Sequence, residues 1–213
     1  MTLLKVLSVP DPKLRIKAKP VDLNDPSIGK ILDDMVETMY HEEGLGLAAP
    51  QVGISLRLVV IDLGVDQMAE EDSEEDEVAG EAADKTQASE PNRQKLSHQK
   101  TSRQKLSFAK SGIQKASLIK MINPEITWRS AEMSICNEGC LSVPELRAEV
   151  SRPKDIKMHY HDAHGVRHHI ETNGLLATCI QHELDHLDGK LYIDYLSPLK
   201  RQIYINKVKK NMK

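Results

Sequence analysis

Gln181-His182-Glu183-Leu184-Asp185-His186 is the stretch on which the reading of this chain turns. It is an HExxH box inside a strongly periodic segment. In a helix its two histidines, four apart, project from one face about one turn from each other, so both can reach a single divalent metal. Glu183 between them is then a ready general base for a water at that metal. The same box also arises on ordinary exposed helices as nothing more than a polar face, so its surroundings have to decide.

Those surroundings speak for burial. Leu175, Leu176, Cys179, Ile180, Leu184 and Leu187 recur at helical spacing and predict a helix held in the core. Thr172 or Asn173 is a suitable N-cap, and Gly189 takes the position just past the C-terminus. Buried paired histidines need a partner. A catalytic metal commonly has three protein ligands and one position left for water, and three cysteines compete for the third place. Cys140 lies in Asn137-Glu138-Gly139-Cys140-Leu141-Ser142-Val143-Pro144, between strand-like stretches, where glycine permits close backbone approach. Cys136 is four residues earlier, and Cys179, three before His182 on the same helical face, points one turn back towards a pocket wall. Against all three stands the bland alternative of a small core hydrophobe.

Outward from the box the pattern is that of an α+β fold: short, mostly antiparallel strands around the HExxH helix, with one helix before them and one after. The first helix starts near Asp25, whose carboxylate can cap it, with Pro26 at the first helical position. Ile28, Ile31, Leu32, Met35, Val36 and Met39 then form one buried stripe. It runs into Gly44-Leu45-Gly46-Leu47-Ala48-Ala49-Pro50-Gln51, small residues that suit neither regular helix nor strand, followed by a buried strand over 56–63. A strand resumes over 118–124, and Met158-His159-Tyr160-His161 and Val166-Arg167-His168-His169-Ile170 flank a Gly165 turn as a hairpin. With His164 that hairpin carries five histidines, read here as a solvated polar face and not a second metal site. A last helix begins at Ser197-Pro198 and becomes basic through Lys200, Arg201, Lys207, Lys209, Lys210 and Lys213.

At 213 residues the chain suits a single domain with a real core. Its three cysteines, an odd number, argue against a secreted disulfide framework. No apolar run approaches the ~20 residues that span a bilayer. Met1-Thr2-Leu3-Leu4-Lys5-Val6-Leu7 is too short an apolar run for a signal peptide, so a reducing cytoplasmic location and a monomer are expected. The net charge of −3 falls entirely on residues 64–117, which hold eleven acids and eight bases; the remainder sums to zero. That segment is acidic over Glu70–Glu77, rich in Lys, Arg, Gln and Ser beyond Lys85, and poor in apolar side chains. It reads as a disordered, low-complexity insertion within the domain. Nothing global points to DNA.

Taken together, Gly44–Gln51, Glu138-Gly139-Cys140-Leu141-Ser142 and the HExxH box resemble, in order and local sequence, the motifs of the peptide deformylases. These metalloenzymes remove the formyl group from the starting methionine of new bacterial and organellar proteins. Pro10-Asp11-Pro12-Lys13-Leu14-Arg15 and Asp194-Tyr195-Leu196-Ser197-Pro198-Leu199 extend the likeness over nearly all of the chain outside the insertion, which departs from the family's short connection. The resemblance implies that Cys140, His182 and His186 ligate the metal and that Glu183 moves the proton. It implies that the Gln51 amide and the Leu141 N–H donate to the oxygen of the tetrahedral intermediate. It places the backbone at Leu45 and Gly46 beside an extended peptide and Arg147 near the methionine pocket. Helical spacing adds Leu175, Thr178 and Cys179, which share the face of His182, to that pocket's wall. Two histidines and a thiolate suit Zn²⁺ but also accept Fe²⁺, Co²⁺ or Ni²⁺, and the resemblance favours Fe²⁺. The implied partner is a nascent formyl-Met polypeptide, with ribosome contact through the basic last helix as an added reading.

Two rivals remain at this level. An HExxH endopeptidase would take its third ligand downstream, where Asp188 and Asp194 are on offer without a convincing motif. A non-catalytic protein docked through its basic tail would not need the catalytic set.

Overall fold

The computed structural model describes residues 2–64 and 118–211. All of the charged segment except Gly64 lies outside the described residues, and so does Lys213.

Helix α1 spans Ser27–His41 and starts one residue later than expected, with Pro26 at the N-cap in place of Asp25; the Asp25 carboxylate still accepts a hydrogen bond from the Ser27 N–H at 2.9 Å. Ile28, Leu32, Met35 and Met39 are buried, and Ile31 and Val36 pack partly against the same cluster. Leu47, Leu58, Val60 and Ile122 complete it, so the stripe on α1 lies against a sheet.

That sheet has five strands in the order β1-β2-β3-β6-β7, all pairs antiparallel. The strands are β1 (Gly46–Ala48), β2 (Leu58–Ile61), β3 (Ile119–Arg129), β6 (Ile156–His161) and β7 (Arg167–Thr172). The stretch 44–51, expected to form neither regular helix nor strand, contributes one strand. Gly46–Ala48 pairs with β2 in the register Gly46↔Ile61, Leu47↔Val60, Ala48↔Val59, although its residues have little strand preference of their own. Tertiary pairing and the complete burial of Leu47 and Ala48 override local propensity. As the first strand in the order, β1 has one edge paired with β2 and one with no strand beside it among the described residues.

A separate two-stranded ribbon joins β4 (Met133–Cys140) to β5 (Val143–Pro153). Helix α2 (Gly174–Leu187) makes contacts with both sheets. Ala177, Ile180, Leu184 and Leu187 pack it onto Val59, Ile61, Met121, Ile156 and Met158 of the large sheet. Its other face turns to the ribbon, where Arg152 of β5 pairs with Asp185. The helix ends as expected at Gly189, whose φ of +73° and close approach to the Arg15 carbonyl leave no room for a side chain. Helix α3 (Pro198–Asn211) inserts Tyr204 into a third cluster with Val143, Val150, Leu191 and Tyr192, while Lys200, Lys207, Lys209 and Lys210 are exposed. No helix among the described residues is long and apolar enough to cross a membrane.

The histidine hairpin is less open than its sequence suggests. His159, His161 and His168 are half-buried, while His164 and His169 are exposed.

Candidate metal centre

Strand alternation prepares one side of the centre. In β4 the residues Cys136, Glu138 and Cys140 turn inward, while Met133, Ile135 and Asn137 face outward. Helical periodicity prepares the other side, since His182 and His186 stand one above the other on α2 with ring centroids 5.0 Å apart. The ligating atoms of Cys140, His182 and His186 all lie within 4.8 Å of one another, and among the described residues no other His, Cys, Asp or Glu group converges this way. Cys140 Sγ is 3.2 Å from His186 Nε2. Cys136 instead takes a 3.6 Å contact from the Thr178 hydroxyl, and Cys179 sits against Gly46, so the competition for the third place falls to Cys140. Asp188 and Asp194, the downstream acids, are tied to Arg57 and Arg15 and do not join the cluster.

The donor set is oriented from behind. His182 Nδ1 is 2.7 Å from Glu138 Oε2, which directs its proton to the carboxylate and leaves Nε2 for the centre. Arg152, only 4% exposed, binds both oxygens of Glu138 and reaches Asp185 Oδ2 at 2.8 Å. Tyr195 closes the chain, with its hydroxyl 2.9 Å from Asp185 Oδ2 and its ring 5.0 Å from the guanidinium. Burial works to raise the Glu138 pKa, yet its bonds to His182 and Arg152 outweigh burial and hold it below the usual carboxylate value.

The two histidines differ electrostatically. Burial opposes a charge on His182, but Cys140 and Glu138 outweigh it and hold its pKa well above the ordinary imidazole value. Burial and the neighbouring His182 push His186 well below that value. Neutral imidazole nitrogens and a thiolate are what a divalent ion of borderline softness requires, so the residues fit a metal and its binding would release protons.

Glu183 lies beside this group, 4% exposed, with Oε2 lacking a hydrogen-bond partner among the described residues. Burial raises its pKa to about 7. Its other oxygen faces β1 so closely that a Cβ on Gly46 would come within 2.5 Å of it. Gln51 is buried in the 3-10 turn after β1 (Ala49–Val52). The Ala48 N–H donates to Gln51 Oε1 at 2.8 Å, which settles the amide orientation and turns Nε2 towards Cys140 Sγ (3.6 Å) and Ser142 Oγ (3.3 Å).

One cavity of about 840 Å³ opens onto this arrangement. Leu45, Gly46, Gln51, Cys140, Leu141, Arg147, Leu175, Thr178, Cys179, His182 and Glu183 all line it, so every site residue read from the sequence is gathered there except His186, which lies behind the wall. Sequence reasoning gave no role to Glu138, Arg152, Asp185 and Ser142, and weighed Cys136 only as a rival ligand. Glu138 was legible in principle, because strand alternation puts it on the face of Cys140 two residues on. Arg152 carried no local signal, since its partners are brought to it by the pairing of β4 with β5 and by the docking of α2.

A Cys/His/His group assembled from strand β4 and an HExxH helix, with a carboxylate alongside and a substrate-sized cleft in front, is the equipment of a metal-dependent hydrolase. A profile of the polypeptide deformylase family matches residues 3–202. A protein named peptide deformylase from Bartonella tribocorum is 41% identical over 213 residues, covering all of this chain and 95% of its own length. One from Nitrosococcus oceani is 40% identical over all of this chain and 98% of its own. Among solved structures, peptide deformylase from Ehrlichia chaffeensis in complex with actinonin superposes with a TM-score of 0.73 at 34% identity, covering 99% of this chain and 98% of the other. The chain belongs to the peptide deformylase family, hydrolases that act on the N-formyl amide.

Proposed function

We propose that this chain removes the N-formyl group from the N-terminal formyl-methionine of nascent polypeptides and releases it as formate, using one divalent ion held by Cys140, His182 and His186. The observation that carries this reading is the convergence of the Glu183 carboxylate and the Gln51 amide on that three-donor cluster at the end of the cleft. When bound, the ion supplies Lewis acidity and a water poised for attack at neutral pH. Fe²⁺ is the ion favoured by the family, while Zn²⁺, Ni²⁺ and Co²⁺ suit the same donors.

The chain's own residues do the remainder. Glu183 accepts a proton from the attacking water and returns it to the amide nitrogen as the C–N bond breaks, because an amine anion is too basic to depart unaided. Gln51 Nε2–H and the Leu141 N–H donate to the oxygen that gains negative charge, each such donor being worth roughly 10²–10³ in rate. The outer edge of β1 at Gly46, together with Leu45 just before it, has no strand beside it among the described residues and takes the peptide as an added strand. Leu175, Thr178, Cys179 and Arg147 receive the methionine side chain at the cleft wall.

The protein acts in this reading as a single-domain monomer in the cytoplasm, with residues 64–117 as a spacer that leaves the chemistry alone. The exposed lysines of α3 are the face for ribosome contact. Formate release from formyl-Met-Ala, measured on anaerobically prepared protein beside an unformylated peptide, tests the core of the proposal. Turnover of the unformylated peptide alone would sink it in favour of an endopeptidase.

A further inference from the structure

Ser142 follows Leu141 in the turn between β4 and β5 and is completely buried. Its backbone carbonyl accepts from the Val9 N–H at 2.9 Å, a structural task that does not use the side chain. The hydroxyl does something else. It lies 3.3 Å from Gln51 Nε2, so the Gln51 amide is gripped at both ends, by the Ala48 N–H on Oε1 and by Ser142 Oγ on Nε2. An amide NH₂ carries two protons in one plane. With one directed at Ser142, the other points to the side of Cys140 Sγ, 3.6 Å away, where the three donor atoms converge.

We infer that Ser142 is a positioning residue whose hydroxyl holds the Gln51 amide so that its second N–H meets the substrate oxygen under attack. The inference rests on the role proposed above for Gln51. Gln51 has three rotatable side-chain bonds and only 1% exposure, so water cannot freely replace a lost partner. Without the hydroxyl, a buried N–H is left unpaired and the amide gains alternative orientations. A donor displaced by about 1 Å loses a large part of its effect on rate.

The test is a double-mutant cycle on full-length, metal-loaded protein, read by formate release from formyl-Met-Ala, by metal content and by the thermal unfolding midpoint. Gln51→Ala should lower kcat by roughly 10²–10³. Ser142→Ala should lower kcat by about 10-fold, with KM, metal content and unfolding midpoint close to those of the parent. In the Gln51→Ala background, Ser142→Ala should change kcat by less than about twofold, since nothing remains to be positioned. Equal losses in both backgrounds, an unchanged kcat in the single variant, or a loss matched by falling metal content would overturn the inference. An unchanged kcat in Gln51→Ala would identify the Gln51 reading itself as the failure. Should Ser142→Ala not fold, Ser142→Cys keeps the volume with a weaker acceptor and is carried through the same cycle with the same deciding outcomes.

Discussion

Two regions of this molecule are rich in histidine, and only one of them makes a site. On α2, His182 and His186 are buried, their rings 5.0 Å apart, with a cysteine from another element closing the group. On the β6–β7 hairpin, His159 and His169 sit opposite each other with rings 6.0 Å apart, His168 stacks on Tyr160, and no third donor arrives among the described residues. The acids differ too. Glu138, which orients His182, has 5% of its side chain exposed and is held by Arg152, whereas Glu125 beside His159 is 70% exposed. Composition is alike in the two places. What separates them is convergence from two elements and a buried carboxylate that fixes a ring.

The sharpest way to break this contrast is to remove a donor from each side. Cys140→Ala or His182→Ala should abolish stoichiometric metal and turnover together, while His159→Ala and His169→Ala leave metal content at one ion per chain. Glu183→Ala should separate chemistry from binding, with metal retained and kcat reduced by about 10³-fold or more. Elemental analysis beside the formate assay reads both; metal loss in a hairpin variant would mean that the two regions are not so different.

Next in size is the support behind His182. Glu138→Gln should weaken metal affinity by about 10–100-fold, measured by competition with a chelator, because the neutral amide no longer draws the Nδ1 proton. Arg152→Ala leaves Glu138 charged and buried without its main partner, and should cost about 3–5 kcal/mol of stability in denaturant unfolding. Smaller again is the pocket wall. Thr178→Phe should raise KM for formyl-Met peptides several-fold while metal content stays fixed, since Thr178 lines the cleft and is not a donor. Unchanged kinetics would remove Thr178 from the methionine pocket.

The contrast also shows what could be seen in the sequence and what could not. The i, i+4 histidines, the α1 stripe from Ile28 to Met39 and the Gly165 hairpin follow from periods that need only local order, and the structure contains each of them. The gathering of Cys140, Gln51 and Leu141 around α2 followed only from resemblance, since no local rule says that three distant segments meet. Strand β1 was illegible because Gly46-Leu47-Ala48 becomes a strand only through its partner Val59–Ile61. Arg152 and Asp185 behind Glu138 were hidden for a similar reason: each charge reads locally as surface, and the packing of the ribbon on α2 buries Arg152 and half-buries Asp185.

The smallest prediction concerns the hairpin's own acid. Asp162 accepts from His168 Nε2 at 2.8 Å and, in the turn, from the backbone N–H groups of His164 and Val166. The hydrogen bond from His168 is the largest influence on its pKa and lowers it below the usual aspartate value. A carboxylate whose folded pKa is depressed contributes stability that is present above its unfolded value, near 3.9, and is lost as pH falls through the lower folded value. Asp162→Asn keeps an oxygen for the two turn N–H groups and removes only the charge facing His168. With both side chains partly open to water, that charge is worth at most about 1 kcal/mol. Urea unfolding should show a loss of at most that size at neutral pH that shrinks towards zero as pH falls through the lowered folded value, with metal content untouched throughout. A loss that persisted in acid would mean that Asp162 supports the turn through shape and not through charge, which is how the buried Glu138 is not expected to behave.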